Sequence, residues 1–523
     1  MTSIQELKMK EMLKRVKEHV DDIFRTNEEG GYIIDPNDGK SIEGHYAASH
    51  AAVAYLLYGQ MIGEERLIQK ANLLVEGIMS RWDLIRKEKD FHADFNLFAL
   101  CLYYDYANAM SDKKILVRIR DIVLSTEDSP HETVNWLPMR IYVNKCRFDW
   151  TSEKKYLKKI ADIKKTLSKV TYSDYYIDDR APIGISFNVQ YDIATVANLY
   201  LLEKKEMHLY NKRMLDAVLD IVLPDGDVNY LGRGCNQIFA WGPWLYLLCQ
   251  EERESDLELA LDFFDDKIEN ALKNNNLLLN LYAGDRRWLW WDYHHYSVYV
   301  CHLFMWLSLA LKRENYDKRI LKESCELDSN GLKSGIDVFK NENCMVVSFG
   351  GRREYLAETG PAIYAIWIRN IGVICKGAFA PWFGVFGNKY TNPIVAICNY
   401  FGLLEVSHDV SYINNKITRR FNIVEKCNAK MEVKPIYSVP AVTCDDKTLT
   451  IEIFNEKRKK CILNIPALRN IEEFITIHVD GVKIPCYDSF TINNQYGECT
   501  VYETGLSTGV KWSISFNFGG IDE

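Results

Sequence analysis

From the start of the chain to about residue 312, apolar residues recur at the three- and four-residue spacing of helices that bury one face. The pattern predicts roughly twelve helices, beginning near Ile4, Glu43, Glu64, His92, Asp112, His131, Ser152, Ser186, Met207, Gly234, Ser255 and His294. Short polar connections such as IGEE, SDKK and EKKEM suit antiparallel helical hairpins. From about Gly331 the period changes. ENCMVVSFGG, AIYAIWIRN, VICKGAFA, KTLTIEIFN, FITIHVDG, CTVYET and VKWSISFNF are β-branched or aromatic, partly alternating, and separated by Gly, Asn and Asp, which predicts an antiparallel β domain. The expected division is a helical domain over 1–315, a linker over 316–330 and a β domain over 331–523, with LDSNGLKSG the most turn-like stretch at the boundary.

Alternate helices open with a polar and aromatic cluster: GHYAASH, FHADFN, PHETVNW, ISFNVQYD, YLGRGCNQ and WDYHHYSVY. They recur about every 40 to 60 residues, as a degenerate repeat of helical hairpins would. If such hairpins close into a ring, alternate helices form its inner layer and their N-termini share one rim. The clusters then converge on one funnel, where free helix N–H groups favour an anionic ligand. For any single cluster, ordinary helix capping by Ser, His, Asp or Asn is the competing explanation.

At 523 residues the chain is longer than one core usually supports, so two domains are expected. With 47% hydrophobic and 26% charged residues it lacks the composition of a disordered chain. The 31 Tyr and 12 Trp suit a wet cleft that stacks on sugar rings, and equally an amphipathic core. A net charge of −8 argues against nucleic-acid and membrane-surface partners, so an acidic sugar would need a local basic site. The charged amphipathic start, the lack of any apolar stretch of membrane-spanning length and 14 scattered Cys without a CxxC pair predict a cytoplasmic protein with reduced thiols.

Three segments carry candidate chemistry. In PDGDVNYLGRGCNQIFAWGPW, Asp225-Gly226 precedes Tyr230, Arg233, Asn236 and Gln237, and a Tyr there could act as a base if Arg233 stabilised its phenolate. The structural alternative is that Tyr230 packs while Arg233 pairs with Asp225 or Asp227. In RAPIGISFNVQYD, Asn188 and Gln190 stand at a helix start with Tyr191 and Asp192 just inside; the amides could bind a carboxylate, or Asn188 could simply cap. In AGDRRWLWWDYHHYSVY, Arg287 and Trp291 precede His294, His295 and Tyr296, and helical geometry lets only one of the two adjacent histidines face a funnel. His45 and His92 open other inner helices, and His408 lies in the β half. No metal-site, Walker A, dinucleotide-binding or GxSxG pattern occurs, so neither a metal nor a cofactor is expected.

The order of parts, a helical toroid and then a β domain with these segments in sequence, resembles the toroid-plus-β-sandwich polysaccharide lyases of the heparinase II/III and alginate lyase type. The resemblance implies an N-terminal (α/α) toroid of about six hairpins, a β-sandwich, and β-elimination on a uronic-acid-containing glycan. It further implies that Asn188 neutralises the uronate carboxylate and that Tyr230 transfers the proton. His294, His295 or His408 would stand in for the histidine that follows the family's Asn, because Val189 follows Asn188 here. Arg233 would supply positive charge, with His45, His92, Gln190, Tyr191, Asn236, Arg287, Trp291 and Tyr296 binding substrate. Two other functions remain open. An (α/α) glycoside hydrolase would need paired carboxylates, such as Asp94 with Asp178 or Asp179, or Asp227 with Asp292. A non-catalytic glycan-binding protein would need only the cleft.

Overall fold

The computed structural model describes residues 1–36, 39–41, 45–87, 92–107, 113–129, 133–178, 188–202, 205–232, 235–273, 296–312, 329–349, 363–377, 383–387, 389–399, 402–413, 416–424, 440–455, 460–494, 496–505 and 507–519. Its helices are α1 (Ser3–Ile23), α2 (Ala47–Ile62), α3 (Glu65–Ser80), α4 (Trp82–Lys87), α5 (His92–Ala107), α6 (Lys113–Ser125) and α7 (Leu137–Thr151). They continue with α8 (Lys154–Val170), α9 (Val189–Tyr200), α10 (Lys205–Asp220), α11 (Trp241–Gln250), α12 (Glu254–Lys273) and α13 (Tyr296–Leu311). None is long and apolar enough to cross a membrane among the described residues.

Two kinds of helix follow from two kinds of sequence. Helix α8 buries a single stripe, Tyr156, Ile160, Lys164, Leu167 and Val170, as an outer-layer helix does. In α9, by contrast, every residue from Val189 to Tyr200 is buried, and α11 is buried from Trp241 to Cys249. Helices apolar all round can be satisfied only inside other helices. Accordingly α2, α5, α7, α9, α11 and α13 touch in that order and α13 returns to α2, closing an inner ring. Each has an outer partner: α3 on α2, α6 on α5, α8 on α7, α10 on α9, α12 on α11, and α1 on α13. The last pair joins the two ends of the helical segment. Helix α1 enters through a capping box between Thr2 and Gln5 and also reaches α12, where Lys8 lies 2.7 Å from Asp262.

The sequence pattern misplaces three helix starts and misses the short helix α4 and one hairpin. Helix α2 begins at Ala47 rather than near Glu43, and α7 at Leu137 after a 3-10 turn over Val134–Trp136. Helix α11 begins at Trp241, after another such turn at Ile238–Ala240, and not at Gly234. The chain is still turning before it, with positive φ at Gly232 (+83°) and Asn236 (+58°) and the Asn236 N–H bonded back to the Asn229 carbonyl at 2.6 Å. Strands Phe24–Asn27 and Gly30–Ile33 form a hairpin laid on α3. Its close approach needs glycine on both sides, because a Cβ on Gly77 would stand 2.1 Å from the Gly31 carbonyl oxygen.

The β half is antiparallel throughout its described pairings. It contains a four-stranded sheet (Ile336–Lys340, Cys344–Phe349, Ile363–Ile368, Gly372–Lys376), two five-stranded arrangements and a three-stranded meander over Lys389–Val424. The four-stranded sheet is the layer next to the helices. Along Cys344–Phe349, Cys344 and Val346 join a core with Leu449, Ile451 and Ile465 of the other sheets, whereas Met345 and Val347 join the core of the helical ring. A strand covered on both faces reads as a continuous apolar run, which is why ENCMVVSF does not alternate.

Candidate functional site

The N-terminal turns of five inner helices and the middle of α13 meet in a belt of rings that visits the whole inner layer. Trp136, just before α7, meets Phe95 of α5 edge-on at 6.4 Å, and Phe95 stacks on Tyr46 at the start of α2 at 4.2 Å. Tyr46 lies 4.7 Å from His50 of α2, which lies 5.2 Å from His302 of α13. His302 stacks flat on Phe239, before α11, at 4.0 Å and an interplanar angle of 4°, and Phe239 meets Tyr191 of α9 at 5.5 Å. Helix starts converge here because each inner helix runs from the same rim. Burial, with no charge to offset it, pushes the His50 imidazole down to about 3, and burial followed by the nearby His50 pushes His302 well below its usual value. Both rings are therefore neutral near pH 7.

Beside Tyr191 stands Asn188. It occupies the N-cap position of α9 with extended backbone, yet its side chain makes no capping bond. The residue is fully buried, and neither Nδ2 nor Oδ1 finds a hydrogen-bond partner among the described residues. Two residues on, Gln190 donates through Nε2 to Gln237 Oε1 at 3.2 Å, while its own Oε1 has no partner among the described residues. Because the side chain makes no capping bond, the ordinary-cap explanation of Asn188 does not hold, and a buried amide needs a partner because one without any costs about 1 to 3 kcal/mol. What the arrangement offers is a neutral donor and acceptor held beside aromatic faces at a helix N-terminus.

Tyr230 is placed differently from the sequence-based expectation. It is fully buried, and its hydroxyl donates to the Ile221 carbonyl oxygen. Burial, and then Tyr176, Asp227 and Asp225, push its phenol well above the ordinary value, the reverse of what a base requires. Nor does it open a helix, since α11 starts at Trp241. Its turn serves another purpose. Lys376, buried in the four-stranded sheet, lies 2.7 Å from Asp227 and 3.2 Å from Asp225, with its Nζ over the rings of Tyr496 and Phe263 at 4.6 and 5.1 Å. The Tyr496 hydroxyl donates to the Asn229 carbonyl at 2.8 Å. The Asp-Gly turn is thus a docking point for the β half, and among the described residues the ion-pair partner of Asp225 and Asp227 is a lysine distant in sequence.

Asn236 is buried beside the same turn, and His45 is half-buried 6.2 Å from Tyr46. Arg233, Arg287, Trp291, His294 and His295 lie outside the described residues, as do Asp179 and Asp292. His92 begins α5, Tyr296 begins α13, and His408 pairs with Asn392 and Phe421 in the meander; their side chains lie outside the description. Asp94 is tied through one oxygen to Arg140 Nε and Nη2 at 2.9 and 2.7 Å, both residues buried; burial outweighs the arginine and raises its carboxyl. Sequence reasoning missed His302, Phe239, Arg140 and Lys376. His302 sits mid-helix in an apolar run, where nothing distinguishes it from a core histidine.

No family model matches the sequence, and no curated protein matches it. Among solved structures, a polysaccharide lyase aligns at 12% identity over 61% of this chain and 99% of its own, with a TM-score of 0.41. A family 88 glycosyl hydrolase from Bacteroides vulgatus aligns at 14% over 60% and 99%, TM-score 0.40. A family 76 glycoside hydrolase from a bovine Bacteroides thetaiotaomicron strain aligns at 12% over 59% and 78%, TM-score 0.42. Likeness at this level assigns neither a family nor an activity.

Proposed function

We propose that the chain is a glycan-processing enzyme that cleaves an acidic oligo- or polysaccharide by β-elimination, with the substrate held at the inner-helix rim. The proposal takes the helical ring as an (α/α) toroid of about six hairpins over 1–315 and the sheets as a β-sandwich domain over 331–523. The observation that carries it is Asn188: a fully buried amide, unpartnered among the described residues and not spent on capping. The proton beside a uronate carboxylate becomes acidic only when donors stabilise the enolate that forms, and Asn188 Nδ2 at a helix N-terminus is such a donor. In the step the C5–H bond breaks, the ring gains a double bond between C4 and C5, and the departing C4 oxygen takes up a proton. Tyr191, on the belt beside Asn188, takes the proton-transfer role that the buried Tyr230 does not suit.

A hydrolase is less well supported. Of the carboxylates that could form its acid and base pair, Asp94 is held by Arg140 and Asp227 by Lys376. The test is to incubate the full chain with alginate, polygalacturonate, heparin and hyaluronan, and to follow ultraviolet absorbance of an unsaturated product. Asn188→Ala is expected to lose about two orders of magnitude or more in rate while keeping its thermal midpoint, the scale seen when one donor to a developing anion is removed. New reducing ends without ultraviolet absorbance would establish hydrolysis instead. Full activity of Asn188→Ala would remove the basis of the assignment.

A further inference from the structure

His50 and His302 come from opposite ends of the helical segment, yet their Nδ1 atoms approach to 3.4 Å. Both side chains are buried, and neither Nε2 has a partner among the described residues. Two neutral imidazoles can share an Nδ1···Nδ1 hydrogen bond only if one Nδ1 carries a proton and the other does not. Their outer nitrogens are then forced into opposite states. The ring that donates through Nδ1 presents a bare Nε2 acceptor, and the ring that accepts through Nδ1 presents an Nε2–H donor. The pair therefore offers one donor and one acceptor in a setting where each, left alone, is costly.

We infer that the His50–His302 pair is a sugar-hydroxyl binding site in the aromatic belt of the inner helices, its bare Nε2 accepting from one hydroxyl and its Nε2–H donating to another. A hydroxyl both donates and accepts, so adjacent hydroxyls of one sugar ring match such a pair, whereas a carboxylate, which only accepts, satisfies half of it. The surroundings fit the same ligand. His302 stacks on Phe239, and Phe239 touches Tyr191, so the pair is two rings from Asn188; Tyr46 and Phe95 supply further apolar faces. Asn188 would then hold the carboxylate and the histidine pair the hydroxyls of the same saccharide. This site rests on the glycan proposal above and adds to it the recognition of hydroxyl groups.

A binding pair is told from a structural one by affinity. His302→Phe keeps the stack on Phe239 but leaves the buried His50 Nδ1 without its bond to His302, so the thermal midpoint is expected to fall in either case, while saccharide affinity falls about tenfold or more only if the pair binds sugar. Binding is measured by calorimetry on the full chain with trigalacturonate, an alginate trisaccharide and mannotriose. Histidine-selective nitrogen NMR of the wild type reads the pair directly, whatever the variant does. One ring is expected to be protonated at Nδ1 and its neighbour at Nε2, and both Nε2 resonances should move on saccharide binding. Matching tautomers in the two rings, a saccharide that binds without moving either Nε2, or a His302→Phe protein with unchanged affinity each overturn the site and leave the glycan proposal standing. A wild type that binds none of the three saccharides and yields no unsaturated product from any of the four polysaccharides overturns both.

Discussion

Replacing Lys376 by methionine is expected to destabilise the protein by about 3 kcal/mol, at the lower end of the cost of breaking a buried ion pair. The side chains of Lys376 and Asp227 are 6% and 1% exposed, so neither charge has water to fall back on. Methionine keeps most of the stem that packs against Phe263 and Tyr496 and removes only the cation. Asp227 would retain the Asn229 N–H at 2.9 Å, but Asp225, itself a carboxylate that bonds the Asp227 N–H at 3.0 Å, would lose its cation too. Lys267 limits the loss. Burial, and then the Lys376 charge, lower the pKa of its amine while Asp227 and Asp225 raise it, so a second cation stays within electrostatic reach of the same aspartates when Lys376 is gone. The assay is urea unfolding of wild type, Lys376→Met, Asp227→Asn and the double variant, because the cycle separates coupling from packing. The double variant should recover part of the loss. Burial opposes the charge on Lys376, but Asp227 and Asp225 outweigh it and raise its pKa, so the contribution is complete below the unfolded value of about 10.4 and disappears only as pH climbs through the raised folded one. A Lys376→Met protein within about 0.5 kcal/mol of wild type would refute this account of the junction.

Tyr230→Phe should cost about 1 kcal/mol, the worth of its hydrogen bond to Ile221, and leave turnover unchanged; a loss of rate without a loss of stability would return Tyr230 to the chemistry. Because the folded-state values of His50 and His302 lie below those of the unfolded chain, the unfolded state binds more protons beneath about pH 6.5. Stability is complete above that pH and falls as pH drops towards about 3, by up to about tenfold in the folding constant per unit for each histidine, and His50→Phe should flatten this acid limb in a pH series of melting curves. Gly77→Ala should lower the thermal midpoint by more than any surface alanine, since its Cβ would meet the Gly31 carbonyl oxygen at 2.1 Å; an unaltered midpoint would mean that the hairpin does not rest on α3.

The hydrophobic period by itself located the helices of both layers and the principal strands, because burying one face or two leaves a mark in the order of side chains. The polar clusters lie at or just before the inner-helix starts, although the pattern misplaced the starts of α2, α7 and α11 themselves. Other features were decided elsewhere. A glycine-rich turn reads the same whether its aspartates wait for a substrate or a lysine about 150 positions later, so the docking of Asp227 on Lys376 and the burial of Tyr230 had no local signature. The same holds for the start of α11, where the Asn236 N–H bond to Asn229 holds the chain in a turn through a segment whose composition suits a helix. His50 and His302 lie 252 positions apart, and their contact exists only because the inner ring closes α13 onto α2. Burial pattern is a property of neighbours along the chain, whereas the pairing of charges and tautomers belongs to neighbours in space, and ring closure is what made these residues neighbours.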